Sequence, residues 1–353
     1  VTLTAPAPED AASTPPPSRW RGSGEFTLVD QITRTILFVA ALLPTLALAF
    51  LAYEMIKSAY PAIIFNGTKF FTTKTFSLGS GGYSGGTIVH HGYKAEAGAH
   101  FGILPLIFGT LVSSLIALVI AVPVSVGGAI LLVEKLPRSL ANGFGLFLEL
   151  LAGIPSVIFG LWGLYAFGPL VARDVYKPLS DLGIPYFTKT PGSGQGMLTA
   201  SLVLSVMIIP IIASTTRELV RSVPQLTKEG AVALGLTGSE SVRLVTMPFV
   251  RTGVLAAAFL GWGRALGETI AVLLISGNSI QGYPQSIFAP FATMASTIAS
   301  LLDGALTDTT GMAVHSLAEI GLVLLVITML TNFAGRLIAD RLSGTGLPVG
   351  RGI

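Results

Sequence analysis

The chain has 353 residues, 51% of them hydrophobic and only 11% charged, with a formal net charge of +3 and a mean hydropathy of +0.74. A soluble domain carries about 25% charged residues and a disordered chain is polar and charge-rich, so both are excluded and an integral membrane protein remains. Cysteine is absent, which removes disulfide scaffolds, zinc–thiolate sites and thiol nucleophiles, and the small positive excess is loop lysine and arginine rather than a nucleic-acid-binding stripe.

Residues 1–31 read as a disordered tail, rich in Pro, Ala and Ser and containing Pro15-Pro16-Pro17. A spanning helix takes about 20 apolar residues, and the first candidate is 32–53. Its Ala47-Leu48-Ala49 invites a signal-cleavage reading. The apolar run continues through Phe50, Leu51 and Ala52, which favours a retained span. Residues 54–102 form a polar, Gly- and Thr-rich interlude, loosest at Gly79 to Gly86 and long enough to need structure of its own.

A permease-like core of five further spans is expected over 103–335, at 103–133, 144–167, 197–215, 251–276 and 312–334. The first of these exceeds the hydrocarbon thickness, and Pro123 is its natural kink. The next contains Gly153, Pro155, Gly160 and Gly163, small residues that let helices approach closely in lipid. Loop 168–195 ends in Pro191-Gly-Ser-Gly-Gln-Gly196, and loop 277–311 carries Asp303 and Asp308 with no Lys or Arg. Within that second loop, Phe291 to Leu302 is apolar but too short to cross, so a partly inserted or surface-lying helix is expected. Residues 336–353 form the closing tail. With the N-terminus inside, the inner segments hold 13 Lys and Arg and the outer segments 7, which places both termini in the cytoplasm.

The inner segment 217–248 has a form of its own. Ser222 can cap a helix, with Pro224 in its first turn and Gly235 as a left-handed stop. Thr237-Gly-Ser-Glu240 offers a second capping box. The plain reading is a connecting loop. The alternative is a docking device, because Leu226, Ala231, Val232 and Leu234 are more apolar than water requires. Glu229-Gly-Ala231, then Gly235, then Val245-Thr-Met-Pro248, resembles the EAA loop of ABC-importer permeases, with Gly230 in place of the first Ala. The resemblance implies that Glu229, Ala231, Gly235 and Pro248 belong to a loop that inserts into a cytoplasmic ATPase. The chain has no GxxxxGK[ST] phosphate loop, so ATP and Mg would be bound by that partner ATPase, with no cofactor in this chain.

Two charges lie inside the fifth span, 251–276: Arg264 and Glu268, within Gly261-Trp-Gly-Arg-Ala-Leu-Gly-Glu-Thr269. Four residues apart, they would share a helix face, and thirteen residues beyond Arg251 they would sit roughly 20 Å along the helix, near the midplane. An unaccompanied charge there costs about 2.5–3.5 kcal/mol or more. Either the two neutralise each other as helix glue, or Arg264 is a stepping point for an anion with Glu268 moderating its hold; physics alone leaves both open. Glu149 and Glu319 read first as interhelical hydrogen-bonding groups, with gating the alternative for Glu149. His90, His91 and His100 read as contacts for a partner outside rather than as metal ligands.

The string Gly-Arg-Ala-Leu-Gly-Glu-Thr-Ile-Ala-Val, with Phe101 to Leu111 and Glu149 to Gly163, resembles the PstC-type permeases of phosphate ABC importers over residues from about 100 to 280. The resemblance implies an all-α integral membrane protein with the type I ABC-importer permease fold and about six transmembrane helices, in the bacterial plasma (inner) membrane. It implies a non-catalytic permease subunit that pairs with a homologous PstA-type permease, ATPase subunits and an extracytoplasmic phosphate-binding protein, with Arg264 and Glu268 on the substrate path. The rivals are a permease for another oxyanion such as molybdate or sulfate, an ATPase-independent anion carrier or channel, and a signalling or scaffold membrane protein.

Overall fold

The computed structural model describes residues 28–79, 86–187 and 192–343. The Pro-rich run, most of the Gly79 to Gly86 stretch and Pro191 lie outside the described residues. The chain divides into two units, one ending at Tyr53 and one beginning at Glu54. In the first, the described residues belong to helix α1 (Leu28–Asn66). The helix starts before residue 32, inside the expected tail, and runs past residue 53, so residues 54–66 are helical rather than loop. The backbone hydrogen bonds of a helix need no apolar side chains, so the change in hydropathy at Glu54 does not stop it.

In the second unit, two small antiparallel sheets follow a 3-10 turn at Gly67–Phe71. Strands β1 (Phe76–Ser77) and β4 (His100–Phe101) pair with each other, and β2 (Thr87–His90) pairs with β3 (Tyr93–Glu96). The β2–β3 hairpin turns on His91 and Gly92, both at positive φ (50° and 86°), the backbone that tight two-residue hairpins demand. These strands bury Phe76 and Phe101 in one core with Phe70, Met294, Met312 and Leu317, so the segment packs onto helices.

The remaining helices follow in order. They are α2 (Leu104–Ile130, extended by a π turn through Lys135), α3 (Arg138–Ala152), and α4, α5 and α6 (Ser156–Trp162, Gly168–Val171, Lys177–Asp181), the last three joined by π turns. Then come α7 (Met197–Arg221), α8 (Gln225–Ala233), α9 (Gly238–Ser241), α10 (Met247–Leu266), α11 (Ile270–Ile275), α12 (Met294–Leu306) and α13 (Met312–Ser343). Among the described residues six stretches are long and apolar enough to cross a membrane: Asp30–Phe71, Leu104–Lys135, Ser156–Asp181, Met197–Arg221, Gly238–Leu266 and Met312–Leu342.

The third span departs from expectation. Residues 144–167 straddle a break, because Gly153 closes α3 and Pro155, extended at φ −57° and ψ 136°, opens α4. Pro supplies no N–H to the helical ladder, and hydropathy does not register that loss. The crossing stretch is therefore Ser156–Asp181, and α3 is a separate helix packed against α7. The helix of the last span likewise runs to Ser343, so residues 336–343 are helical, not tail. The short apolar stretch after residue 290 does not lie on the surface: Phe291, Ala292, Met294 and Ala295 are buried. Its helix α12 packs on α13 and α2, opened by a capping box between Thr293 and Ser296.

Packing is set by small residues, as lipid gives helices little hydrophobic drive to associate. The buried face of α2 carries Gly109, Ser113, Ser114, Ala117 and Ala121. A Cβ on Gly160 would lie 2.8 Å from Leu274 Cδ1, and one on Gly163 would overlap Ile275 Cδ1, so α11 rests on those glycines. The tightest approach on α2 is Gly109, where a Cβ would overlap the Ala292 carbonyl oxygen, while Gly127 on the same helix has nothing within 4 Å. Backbone cannot swing aside as a side-chain tip can. Gly109→Ala is expected to lower stability by about 1–3 kcal/mol and Gly127→Ala to stay within about 0.5 kcal/mol of the parent, read as thermal unfolding of the detergent-solubilised protein.

Candidate functional site

The helix–Gly–helix segment expected at 217–248 forms from residue 222 onward: residues 217–221 still belong to α7, and its second helix runs on without a stop into the crossing stretch Gly238–Leu266. Ser222 does not cap α8: its hydroxyl donates back to the Leu219 carbonyl at 2.8 Å, closing α7. Pro224 occupies the cap position, extended at φ −59° and ψ 130°. The far end of α8 closes on Gly235 at φ +84°. There Leu236 N–H bonds to Ala231 O and Gly235 N–H to Val232 O, the paired bonds of a Schellman stop. Thr237 and Glu240 make the reciprocal capping box that opens α9. A π turn (Val242–Thr246) then leads without a break into α10, and Pro248, which has no N–H to donate, follows directly on that turn.

Of the four motif residues, Ala231 is buried, while Glu229, Gly235 and Pro248 are exposed. Leu226, 82% exposed, lies on the outward side of α8, away from Ala231, and Leu234, 85% exposed, caps the far end of the helix. Nothing among the described residues covers this apolar face.

The inward side of α8 is held by a group that sequence reasoning misses. Lys228 shares the Ala231 side, three residues away. Its Nζ donates to Glu134 Oε1 at 2.6 Å and lies 3.5 Å from Val220 O. Thr246 Oγ1 donates to the same Glu134 oxygen at 3.4 Å. Glu134 stands on the π turn that ends α2, so one carboxylate joins the end of α2, helix α8 and the turn before α10. The two charged side chains are only 16% and 19% exposed. The available signal was Glu134 itself, a lone acid beside Lys135 and Arg138.

The structure corrects the arrangement of Arg264 and Glu268. Helix α10 ends at Leu266; Gly267, Glu268 and Thr269 are not helical, and α11 begins at Ile270. The two charges therefore flank a break instead of stacking one turn apart. Gly267 lacks the Cβ that would favour helix there. Among the described residues no ion pair joins Arg264 to a carboxylate. Arg264 is exposed and Glu268 half-buried, so the guanidinium, one turn from the end of a helix, is presented on a face that this chain leaves open. Nearby, Trp262 Nε1 donates to Ser114 Oγ at 3.0 Å and fixes α10 against α2.

Glu149 lies on α3, exposed, with an oxygen 3.9 Å from Arg217 Nη1. The Arg217 guanidinium is buried over Gly145, where a Cβ would overlap Nη1. Glu319 is buried on α13 and accepts from Asn66 Nδ2 at 2.7 Å, a helix-to-helix hydrogen bond. His90 Nδ1 lies 2.7 Å from the Phe65 carbonyl oxygen, and His90, His100 and Lys69 line one cleft.

Three comparisons bear on this arrangement. A family model described as "Binding-protein-dependent transport system inner membrane component" matches residues 121–344. The chain is 49% identical over 320 residues, 89% of its length and 94% of the relative's, to "Phosphate transport system permease protein PstC 1" of Mycobacterium tuberculosis. It is 40% identical over 266 residues, 74% of this chain and 83% of the relative, to the PstC protein of Haemophilus influenzae. Among solved structures, a bacterial alginate ABC transporter in complex with an alginate pentasaccharide-bound periplasmic protein aligns at TM-score 0.56 and 16% identity, over 91% of this chain and 99% of that one. At that identity the likeness concerns the fold.

Proposed function

This chain belongs to the binding-protein-dependent transport system inner-membrane components, and from that premise we propose that it forms one half of the translocation path of an ATP-driven importer of inorganic phosphate. The observation that carries the reading is the likeness to phosphate permeases at 49% identity over 89% of the chain. The chain is a multi-pass membrane protein with six spanning stretches, and it is the permease of an ABC system, not its ATPase. The excess of Lys and Arg on one side, 13 against 7, supports cytoplasmic termini, and with them a location of α8 on the cytoplasmic side of the membrane.

The division of labour follows. A second permease of the PstA type covers the face on which Arg264 is presented. The ATPase holds ATP and Mg2+ and receives α8 through Leu226, Leu234 and Glu229. An extracytoplasmic phosphate-binding protein docks at the opposite end, where His90, His100 and Lys69 converge. Arg264 offers phosphate a fixed fork of donors, and Glu268 across the helix break keeps the net attraction weak enough for release.

The test is uptake of labelled phosphate by proteoliposomes holding the complete transporter. Uptake is expected to need ATP and the binding protein, to be inhibited by unlabelled phosphate, and to be unaffected by excess molybdate or sulfate. Inhibition by one of those anions at equal concentration would reassign the cargo, and uptake without ATP would overturn the ABC reading.

A further inference from the structure

We propose that Glu134 is the positioning residue that converts displacement of α8 into movement of α2 and α10. The inference rests on the transport reading above and deepens it. Helix α8 is lightly attached: a Cβ on Gly230 would meet nothing within 4 Å, and Ala231 is its one buried residue. Such a helix can dock onto a moving partner without dragging the membrane helices along. The Lys228–Glu134 contact removes that slack. At 2.6 Å, and 16% and 19% exposed, it is short, charge-assisted and shielded from water, so it is stiffer than a surface pair.

Its connectivity gives the contact its direction. Residues 134 and 228 are 94 apart in sequence, and 134 and 246 are 112 apart, so Glu134 ties segments that the backbone does not hold together locally. Through Lys228 it grips α8. Through its own backbone it ends the Leu104–Lys135 span, which packs on α7 and α10. Through Thr246 it grips the turn that leads into α10, the helix that carries Arg264 about 27 Å further along. A pull on α8 therefore reaches the two helices joined by the Trp262–Ser114 hydrogen bond. Two other ion pairs on the same side, Arg217 with Glu149 at 3.9 Å and Arg221 with Glu218 at 3.4 Å, are longer and involve no residue of α8.

The experiment compares phosphate uptake with ATP hydrolysis in proteoliposomes of the complete transporter carrying Glu134→Gln, Thr246→Val, or the charge swap Glu134→Lys with Lys228→Glu. Glu134→Gln is expected to keep the ATPase bound and hydrolysing, while phosphate moved per ATP falls roughly tenfold, the loss of one charge-assisted hydrogen bond. Thr246→Val, nearly isosteric and leaving the ion pair intact, is expected to lower the ratio by roughly threefold. The charge swap is expected to recover part of the ratio lost in Glu134→Gln. An unchanged ratio in both single variants overturns the proposal. Loss of the ATPase from Glu134→Gln also overturns it, since the contact would then hold the docking geometry rather than transmit its motion. Absence of ATP-dependent uptake in the parent transporter would instead refute the phosphate-importer reading, so the two failures are distinguishable.

Discussion

Arg264→Gln is expected to reduce phosphate uptake by the reconstituted transporter roughly a hundredfold or more, with the complex still assembled and the ATPase still bound. Glutamine keeps most of the length and some hydrogen-bonding capacity but loses the charge and the paired donors. Each hydrogen bond to an ionised group contributes about 1.5–3 kcal/mol, and a bidentate guanidinium–oxyanion contact makes two. At about 1.36 kcal/mol per tenfold in rate, losing both gives at least that factor. Assembly should survive because Arg264 is exposed and no ion pair within the described residues depends on it. Uptake is read with labelled phosphate, and assembly by size exclusion and subunit stoichiometry.

The break after Leu266 is what gives this substitution its reach. On an unbroken helix, Glu268 would sit one turn from Arg264 and neutralise it, and removing the arginine would mainly strand a carboxylate. With Gly267 to Thr269 out of helix, Glu268 does not pair with Arg264 and acts on it only across the break, which leaves the guanidinium's donors available to an anion. The carbonyls at the end of α10 moderate the guanidinium locally. A normal uptake rate in Arg264→Gln would leave the arginine as helix glue and move the anion path elsewhere.

The number and rough position of the apolar stretches are legible in the sequence, because a run of about twenty apolar residues matches the thickness of a bilayer and little else. The stop at Gly235 and the capping box at Thr237 are legible too, since each is a local rule written in adjacent residues. Helix breaks inside apolar runs are not. Gly153-Ile-Pro155 and Gly267-Glu-Thr269 interrupt backbone hydrogen bonding without lowering hydropathy enough to mark a boundary, so hydropathy misplaces the third span and puts Arg264 and Glu268 on one face. Ser222 misleads for a related reason. A serine between two helices can serve either, and the following Pro224, which cannot donate an N–H, takes the cap of α8. Glu134 escapes because its partners lie far away in sequence; nothing local distinguishes it from any acid in a short turn.

The coupling face makes the second large prediction. Leu226→Asp with Leu234→Asp is expected to detach the ATPase from the purified transporter, with affinity falling by more than about a hundredfold. Both side chains are over four-fifths exposed on this chain, and each loses about 1.5–3 kcal/mol of burial when a partner covers it no longer. The two carboxylates add a desolvation cost in an apolar cleft. The substitutions leave Ala231, Lys228 and the Gly235 stop untouched, so the permease itself should unfold within about 0.5 kcal/mol of the parent. Detachment with unchanged permease stability assigns the exposed apolar side of α8 to the ATPase. Co-purification of the ATPase at parental stoichiometry would show that it grips the permease elsewhere, and Leu226 and Leu234 would then need another partner. The same pair separates docking from transmission: Leu226→Asp with Leu234→Asp removes the ATPase, whereas Glu134→Gln keeps it bound but poorly coupled to transport. The exposed leucines of α8 and of its C-terminal cap thus carry the docking, and its inward lysine carries the transmission.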